Sequence, residues 1–416
     1  MRQAKRNTCT LALAATGLIN LLPTAYSEEK PTPVMTALSS TTISGYVNAS
    51  GWWVPGTGNA NLPTFAYGGV AKADGFNLDA VKLTVERPLD EYPFSAGFKF
   101  DAVFGPDANL LNSTSTGISV SDVAVKQAYV AVGVPVGNGI KFRLGVWDTI
   151  IGYETFDAGN NAHYTRSYGY TIEPTTHTGL LGTWQINDVI GVAAGVANTF
   201  GPFINEKAHA PFGPKPESYK TYMGSITFTV PESLGFLHGS TLVAGAINGY
   251  NSGTGVDQTS YYIGGAINTP LPGLKLGASA DYVYVHRQDL TGDQNLFVGA
   301  YAVYLSFQAT EKLSFHARGE YANNDVPGIL TPLDANGAGT DFDNTGSKVI
   351  AVTGTIQYDL WKNVLSRLEV RWDHAADGSR PFGGTAELDQ PAPGVFTGGG
   401  NKGNSFLVVG NLIYKF

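Results

Sequence analysis

The chain has 416 residues, of which 14% are charged and 12% aromatic, with 52 glycines. A typical soluble domain carries roughly 25% charged residues and roughly 7% glycine, so a string of ordinary soluble domains fits poorly. The formal net charge of −8 argues against nucleic-acid binding, which needs a basic footprint.

The chain opens with the features of an export signal. Arg2, Lys5 and Arg6 precede an apolar stretch from Leu11 to Leu22, and Ala25-Tyr26-Ser27 puts small residues at both cleavage subsites. The stretch is too short for a spanning helix. Residues 1–27 are therefore expected to be a signal peptide removed after Ser27. Its loss takes the net charge from −8 to −11, since it carries three basic and no acidic side chains. Cys9, the single cysteine, leaves with it, which excludes a disulfide scaffold. Cys9 also precedes the apolar stretch rather than ending it, which speaks against a lipid anchor. Residues 28–40 are polar and contain proline, and read as a periplasmic lead-in.

No later stretch reaches the roughly 18 consecutive apolar residues of a helical span. The best, 189–200, is interrupted by Asn198. A membrane protein without apolar helices must close its strands on themselves, because lipid leaves no partner for an open sheet edge. Residues 41–416 repeat one theme, an alternating stretch followed by a turn. Tight turns are expected at 87–93, 135–139, 186–189, 231–239, 269–273, 309–312 and 359–363. Longer connections rich in Gly, Asn and Pro alternate with them, at 54–74, 105–121, 148–175, 199–218, 250–258, 287–293, 322–346 and 375–403. This rhythm predicts an all-β, transmembrane, antiparallel up-and-down barrel of about 16 strands, with both termini in the periplasm.

Alternation within the stretches says which face meets lipid. Phe94, Ala96, Phe98, Phe100, Ala102 and Phe104 oppose Ser95, Gly97, Lys99 and Asp101. Leu368, Val370 and Trp372 oppose Glu369, Arg371 and Asp373, and Phe142, Leu144 and Val146 oppose Lys141 and Arg143. A Lys or Arg facing lipid at the midplane costs roughly 2–4 kcal/mol, so the charges are expected to point inward. Pore-lining candidates are Lys82, Lys99, Asp101, Lys126, Lys141, Arg143, Arg318, Glu320, Arg367, Glu369, Arg371 and Asp373. With Glu86 and Asp281 included, bases outnumber acids. Such charges either bias ion entry or simply neutralise one another. Phe104, Tyr282, Tyr284, Tyr321 and Tyr358 fall near strand ends, where aromatic girdles sit. The last stretch puts Phe406, Val408, Gly410, Leu412, Tyr414 and Phe416 on one face. It resembles the closing strand of outer-membrane proteins, in which such an ending, here Tyr414 and Phe416, is the tag read by the barrel-assembly machinery.

A narrower resemblance lies in the middle of the chain. The run Gly145-Val-Trp-Asp-Thr-Ile-Ile-Gly-Tyr-Glu154, then Asn161, Tyr164-Thr-Arg-Ser-Tyr168 and Pro174-Thr-Thr-His-Thr-Gly179, is similar to the β-barrel porin 2 (OmpL-like) family. The turn Trp184-Gln-Ile-Asn-Asp188 and the Gly195–Asn198 stretch fit as well. The likeness is clear over 83–198 and diffuse beyond. It implies a porin-type barrel and supplies no solute. The connection 148–175, third of the long ones, carries Asp148, Glu154, Asp157, Arg166 and Glu173. In general porins the third loop folds into the barrel, so this one is expected to constrict the lumen, the alternative being a loop packed on the rim.

Other chemistry is weaker. His163 and His177 lie in sequence near Thr165, Ser167, Asp157 and Glu173, but no nucleophile elbow surrounds Ser167, so an enzyme is not expected. The histidines lack the close spacing of zinc sites. Asp341-Phe-Asp343-Asn344 lacks the Gly and distal Glu of a calcium loop, and Gly383-Gly384 and Gly398 to Gly400 precede no Gly-Lys-Ser/Thr. No metal or cofactor is expected. The expected function is passive diffusion of small hydrophilic solutes through a water-filled channel; the alternatives are, second, selective passage of anions or sugars and, third, a structural or adhesin-type barrel. The expected partners are outer-membrane lipid, the barrel-assembly machinery, the solutes and, by analogy with general porins, two further copies in a homotrimer.

Overall fold

The computed structural model describes residues 40–416 except 57, 64–71, 91–93, 112, 114–121, 209–215, 217, 252–255, 290–291, 326–347 and 385–399. The expected signal peptide, most of the lead-in, and Asp341, Asp343, Asn344, Gly398 and Gly399 thus lie outside the described residues.

Sixteen strands form one closed antiparallel barrel. They are β1 (Thr42–Trp53), β2 (Phe76–Arg87), β3 (Ser95–Phe104), β4 (Val123–Val134), β5 (Ile140–Asp148), β6 (Thr176–Gln185), β7 (Ile190–Ala197) and β8 (Thr221–Thr229), followed by β9 (Thr241–Asn251), β10 (Val256–Asn268), β11 (Leu274–Asp289), β12 (Gly292–Gln308), β13 (Leu313–Asn324), β14 (Lys348–Trp361), β15 (Val364–Ala375) and β16 (Asn404–Lys415). Each strand pairs with its neighbours in sequence, and β1 pairs with β16 to close the ring. The chain's last residue fastens that seam. Gly45 N–H donates to the Phe416 carbonyl at 3.0 Å, and Phe416 N–H donates to the Gly45 carbonyl at 3.0 Å. No described helix is long and apolar enough to cross a membrane.

Burial is inverted relative to a soluble protein. Along β14, Ile350, Val352, Ile356 and Tyr358 are exposed, whereas Val349, Ala351, Thr353, Thr355 and Gln357 between them are buried. The same alternation exposes Phe98, Phe100 and Phe104 on β3, and Phe406, Leu412 and Tyr414 on β16. Apolar residues thus cover the outer wall, where lipid takes the place of a core, and the five girdle aromatics named above are all exposed there.

Three connections differ from the sequence reading. At 250–258 and 287–293 the strands run on, β9 to Asn251 and β10 from Val256, β11 to Asp289 and β12 from Gly292. Polar residues there mimic a loop, yet strands that continue past the lipid meet water on both faces and need no apolar alternation. At 231–239 the expected tight turn holds a 3-10 turn at Glu232–Leu237. Two short helices, α1 (Pro106–Leu111) and α2 (Tyr168–Ile172), interrupt the second and third long loops.

Candidate constriction inside the barrel

The third long loop, residues 149–175 between β5 and β6 and here termed L3, lies inside the barrel. Ile150, Ile151, Tyr153, Glu154, Phe156, His163, Tyr164, Thr165, Arg166, Ser167, Tyr168 and Tyr170 are all buried. Its hydrogen bonds reach strands on the far side of the ring, as only a loop crossing the lumen can do.

The loop first organises itself. Asn161 Nδ2 donates to the carbonyls of Thr155 and Asp157, and its Oδ1 accepts from Thr155 N–H. Arg166 donates to the carbonyls of Thr155, Tyr164 and Phe156 at 2.6–2.8 Å. Ser167 caps α2 by accepting from Tyr170 N–H at 3.2 Å. These are residues of the Asn161 and Arg-Ser-Tyr motifs, which thus serve to shape the loop.

Its hold on the wall formed by β13, β14 and β15 is polar. Arg318 Nη1 donates to Glu154 at 2.7 Å and Arg318 Nε to Glu320 at 2.6 Å. Glu320 in turn accepts from Tyr168 N–H at 2.7 Å. Glu369 accepts from Tyr164 N–H, Thr165 N–H, Thr165 Oγ1 and Thr355 Oγ1. Arg371 binds Asp373 through two nitrogens and donates to the Arg166 carbonyl at 2.7 Å, and Tyr168 Oη completes the set on Asp373 at 2.8 Å. Arg367 donates to the carbonyls of Ala158 and Asn161. Towards β2 and β4, Asp157 takes Lys82 at 2.9 Å and Lys126 at 3.7 Å. Lys126 also meets Asp148 at 2.5 Å, and Lys82 meets Asp101 at 3.1 Å. Burial disfavours the Asp157 charge, yet the lysines hold its carboxyl well below the usual range.

The hold on β6 to β12 is apolar. Ile150, Ile151 and Tyr153 join Leu181, Met223, Val243, Ile247, Ala302 and Tyr304 in one buried cluster. Tyr153 stacks on Tyr304 with ring centroids 3.9 Å apart. The wall leaves room for this: a Cβ on Gly277 would stand 1.7 Å from Tyr153 Oη. At the root of the loop, burial and the neighbouring Asp281 push the Glu173 carboxyl up.

Nine of the twelve pore-lining candidates are therefore buried among these contacts: Lys82, Asp101, Lys126, Arg318, Glu320, Arg367, Glu369, Arg371 and Asp373. Lys99, Lys141 and Arg143 keep solvent exposure. So do other inward residues of β4 to β8 and β11, including Tyr129, Thr183, Gln185, Ser225, Thr227 and Lys275. Lys275 was missed in the sequence because β11 carries no neighbouring charge on the same face at that end to draw attention to it.

The Ser/His/acid residues do not converge. His163 Nδ1 pairs with Thr355, and His177 with the Thr199 carbonyl and Thr149, while Ser167 Oγ accepts from Tyr170 N–H. Burial, with Arg318 nearby, keeps His163 neutral by lowering its pKa well below the usual value. Among the described residues no cluster of ligating side chains suits a metal ion.

Comparison with known proteins places the architecture. The anion-selective porin from Comamonas acidovorans shares 14% identity and a TM-score of 0.56, over 91% of this chain and 99% of that one. The outer-membrane channel DcaP of Acinetobacter baumannii shares 12% identity and a TM-score of 0.57, over 90% and 97%. OmpT, an outer membrane protein of Vibrio cholerae, shares 12% and 0.53, over 92% and 100%. At such identities the likeness is one of fold. No curated protein matches the sequence. The family model described as "Putative beta-barrel porin-2, OmpL-like" matches residues 40–416, well beyond the 83–198 where the motifs are clearest, and the chain belongs to that family of outer-membrane β-barrel porins.

Proposed function

We propose that the protein is a passive diffusion channel for small hydrophilic solutes, narrowed by L3. One observation carries this reading: L3 covers the β13–β15 wall, while inward residues from β3 to β8 and at the periplasmic end of β11 keep contact with solvent. A ring of about 16 strands is too wide for side chains to fill, so the uncovered side is the solute path. On this reading Glu154, Asp157 and Arg166 shape the constriction, Asp148 and Glu173 fix its two roots, and the Ser/His/acid set has no catalytic role. Liposome swelling with neutral sugars of increasing size is the test. Swelling that slows with solute size is expected, and no swelling with any sugar would favour the structural-barrel reading.

The export route belongs to the same proposal: cleavage after Ser27, then insertion into outer-membrane lipid by assembly machinery that reads Tyr414 and Phe416. Amino-terminal sequencing of the mature chain tests the first step, and insertion of a chain lacking Phe416 tests the second. Assembly as a homotrimer is supported by a fold neighbour, the trimer form of Vibrio cholerae OmpT, at 11% identity. Cross-linking in native membranes checks it.

A further inference from the structure

We propose that the channel prefers small anions, and that Arg143 and Lys275, seconded by Lys141, set this preference rather than the conspicuous charge ladder of β13 and β15. The inference rests on the diffusion-channel reading.

The charges of the ladder are spent. Arg318 lies 2.7 Å from Glu154 and 2.6 Å from Glu320, and Arg371 lies 2.8 Å from Asp373. Lys82 and Lys126 hold Asp101, Asp148 and Asp157 between them. Arg367 is buried against carbonyls of L3. A buried, compensated pair presents little field to a passing ion. Nearer the periplasmic mouth, Lys99 is engaged with Glu86 at 3.3 Å.

Among the described residues, Arg143, Lys141 and Lys275 face inward, keep contact with solvent and form no ion pair with a carboxylate. Arg143 stands opposite the lumen-facing Leu181, and its guanidinium lies over the Tyr129 ring at 5.1 Å, a contact that orients it and leaves its charge intact. Lys141 stands two residues nearer the periplasm on the same face and is exposed. Lys275 faces inward between Asn268 and Ser306. Among the described residues the carboxylates facing this space are Glu86, already paired with Lys99, Asp359 at the end of β14, whose charge acts on Arg367, and Asp281, which lies under L3 beside Glu173. Acids of the periplasmic turns, such as Asp188 and Glu311, lie beyond the strand ends. β5 and β11 sit on well-separated arcs of the ring, so an ion leaving the constriction passes between fixed positive charges. The field of a fixed charge ring in a narrow aqueous pore favours counter-ions.

The experiment is a zero-current potential across a planar bilayer under a KCl gradient, with the full-length mature protein. The wild type is expected to favour chloride. The R143Q/K141Q/K275Q variant should lose that preference by about threefold or more in permeability ratio, with the wild-type effect fading between about 0.1 M and about 1 M salt as the screening length shrinks from about 10 Å to about 3 Å. Lys348→Gln, an exposed change on the outer face of β14, should leave the ratio untouched. A conducting triple variant with the wild-type ratio, or a cation-preferring wild type, would overturn the inference while sparing the channel. A wild type that passes neither ions nor sugars would overturn the channel reading and this inference with it.

Discussion

L3 is held by two walls built on opposite principles. On β13 to β15 it meets Arg318, Glu320, Glu369, Arg371 and Asp373, each with a specific partner at hydrogen-bond distance. On β6 to β12 it meets Leu181, Met223, Val243, Ile247 and Tyr304, which offer area but no direction. Buried ion pairs contribute little net stability against apolar substitutes, yet breaking one is costly. Apolar burial contributes roughly 25 cal/mol per Å² and tolerates sliding. The polar wall therefore fixes where the loop sits, and the apolar wall supplies much of the free energy that keeps it there.

The largest expected effect comes from the polar wall. Arg318→Met leaves Glu154 and Glu320 buried without their shared cation, and should cost about 3–5 kcal/mol, read as earlier loss of the folded band in denaturant titrations followed by gel mobility. Single-channel traces of that variant should be noisier as the loop loosens, and wild-type stability together with quiet traces would remove the distinction between the walls. Next comes the apolar wall. Gly277→Ala places a methyl where Tyr153 Oη stands and should cost about 1–3 kcal/mol by overpacking. In a Tyr153→Ala background the same change should be close to neutral, and additivity in this double-mutant cycle would count against the packing explanation. Tyr168→Phe is milder. It removes one hydrogen bond to Asp373, which keeps Arg371, so roughly 1 kcal/mol is expected in the same denaturant assay.

The smallest effect lies at the seam between the walls, at Glu173. Its folded-state pKa is raised by burial and by Asp281, so the folded protein binds its proton more tightly than the unfolded chain does. Stability from this group is present at acid pH and declines as pH rises above the unfolded value of about 4.3 towards the folded one. Glu173→Gln should flatten that decline, and an unchanged stability–pH slope would show that the carboxyl is not held protonated.

Local pattern made much of this legible. Strand number and the lipid-facing set follow from a period of two, which each ten-residue stretch carries by itself; Phe98 against Lys99, or Val370 against Arg371, is enough to orient a strand. The position of L3 was readable from its place in the turn rhythm and its motif residues. The roles of those residues were not: nothing near Arg166 in the sequence shows that its donors go to the loop's own carbonyls, or that Tyr168 reaches Asp373 some 205 positions away.

The sequence by itself determined that this chain builds an inside-out barrel, because hydrophobic alternation and turn chemistry act over a few residues. Only the tertiary structure decided which charges remain free. Charge neutralisation depends on groups that closure of the ring and folding of L3 bring together: Arg318 is cancelled by Glu154 from L3, whereas among the described residues Arg143 and Lys275 face the lumen without a carboxylate partner.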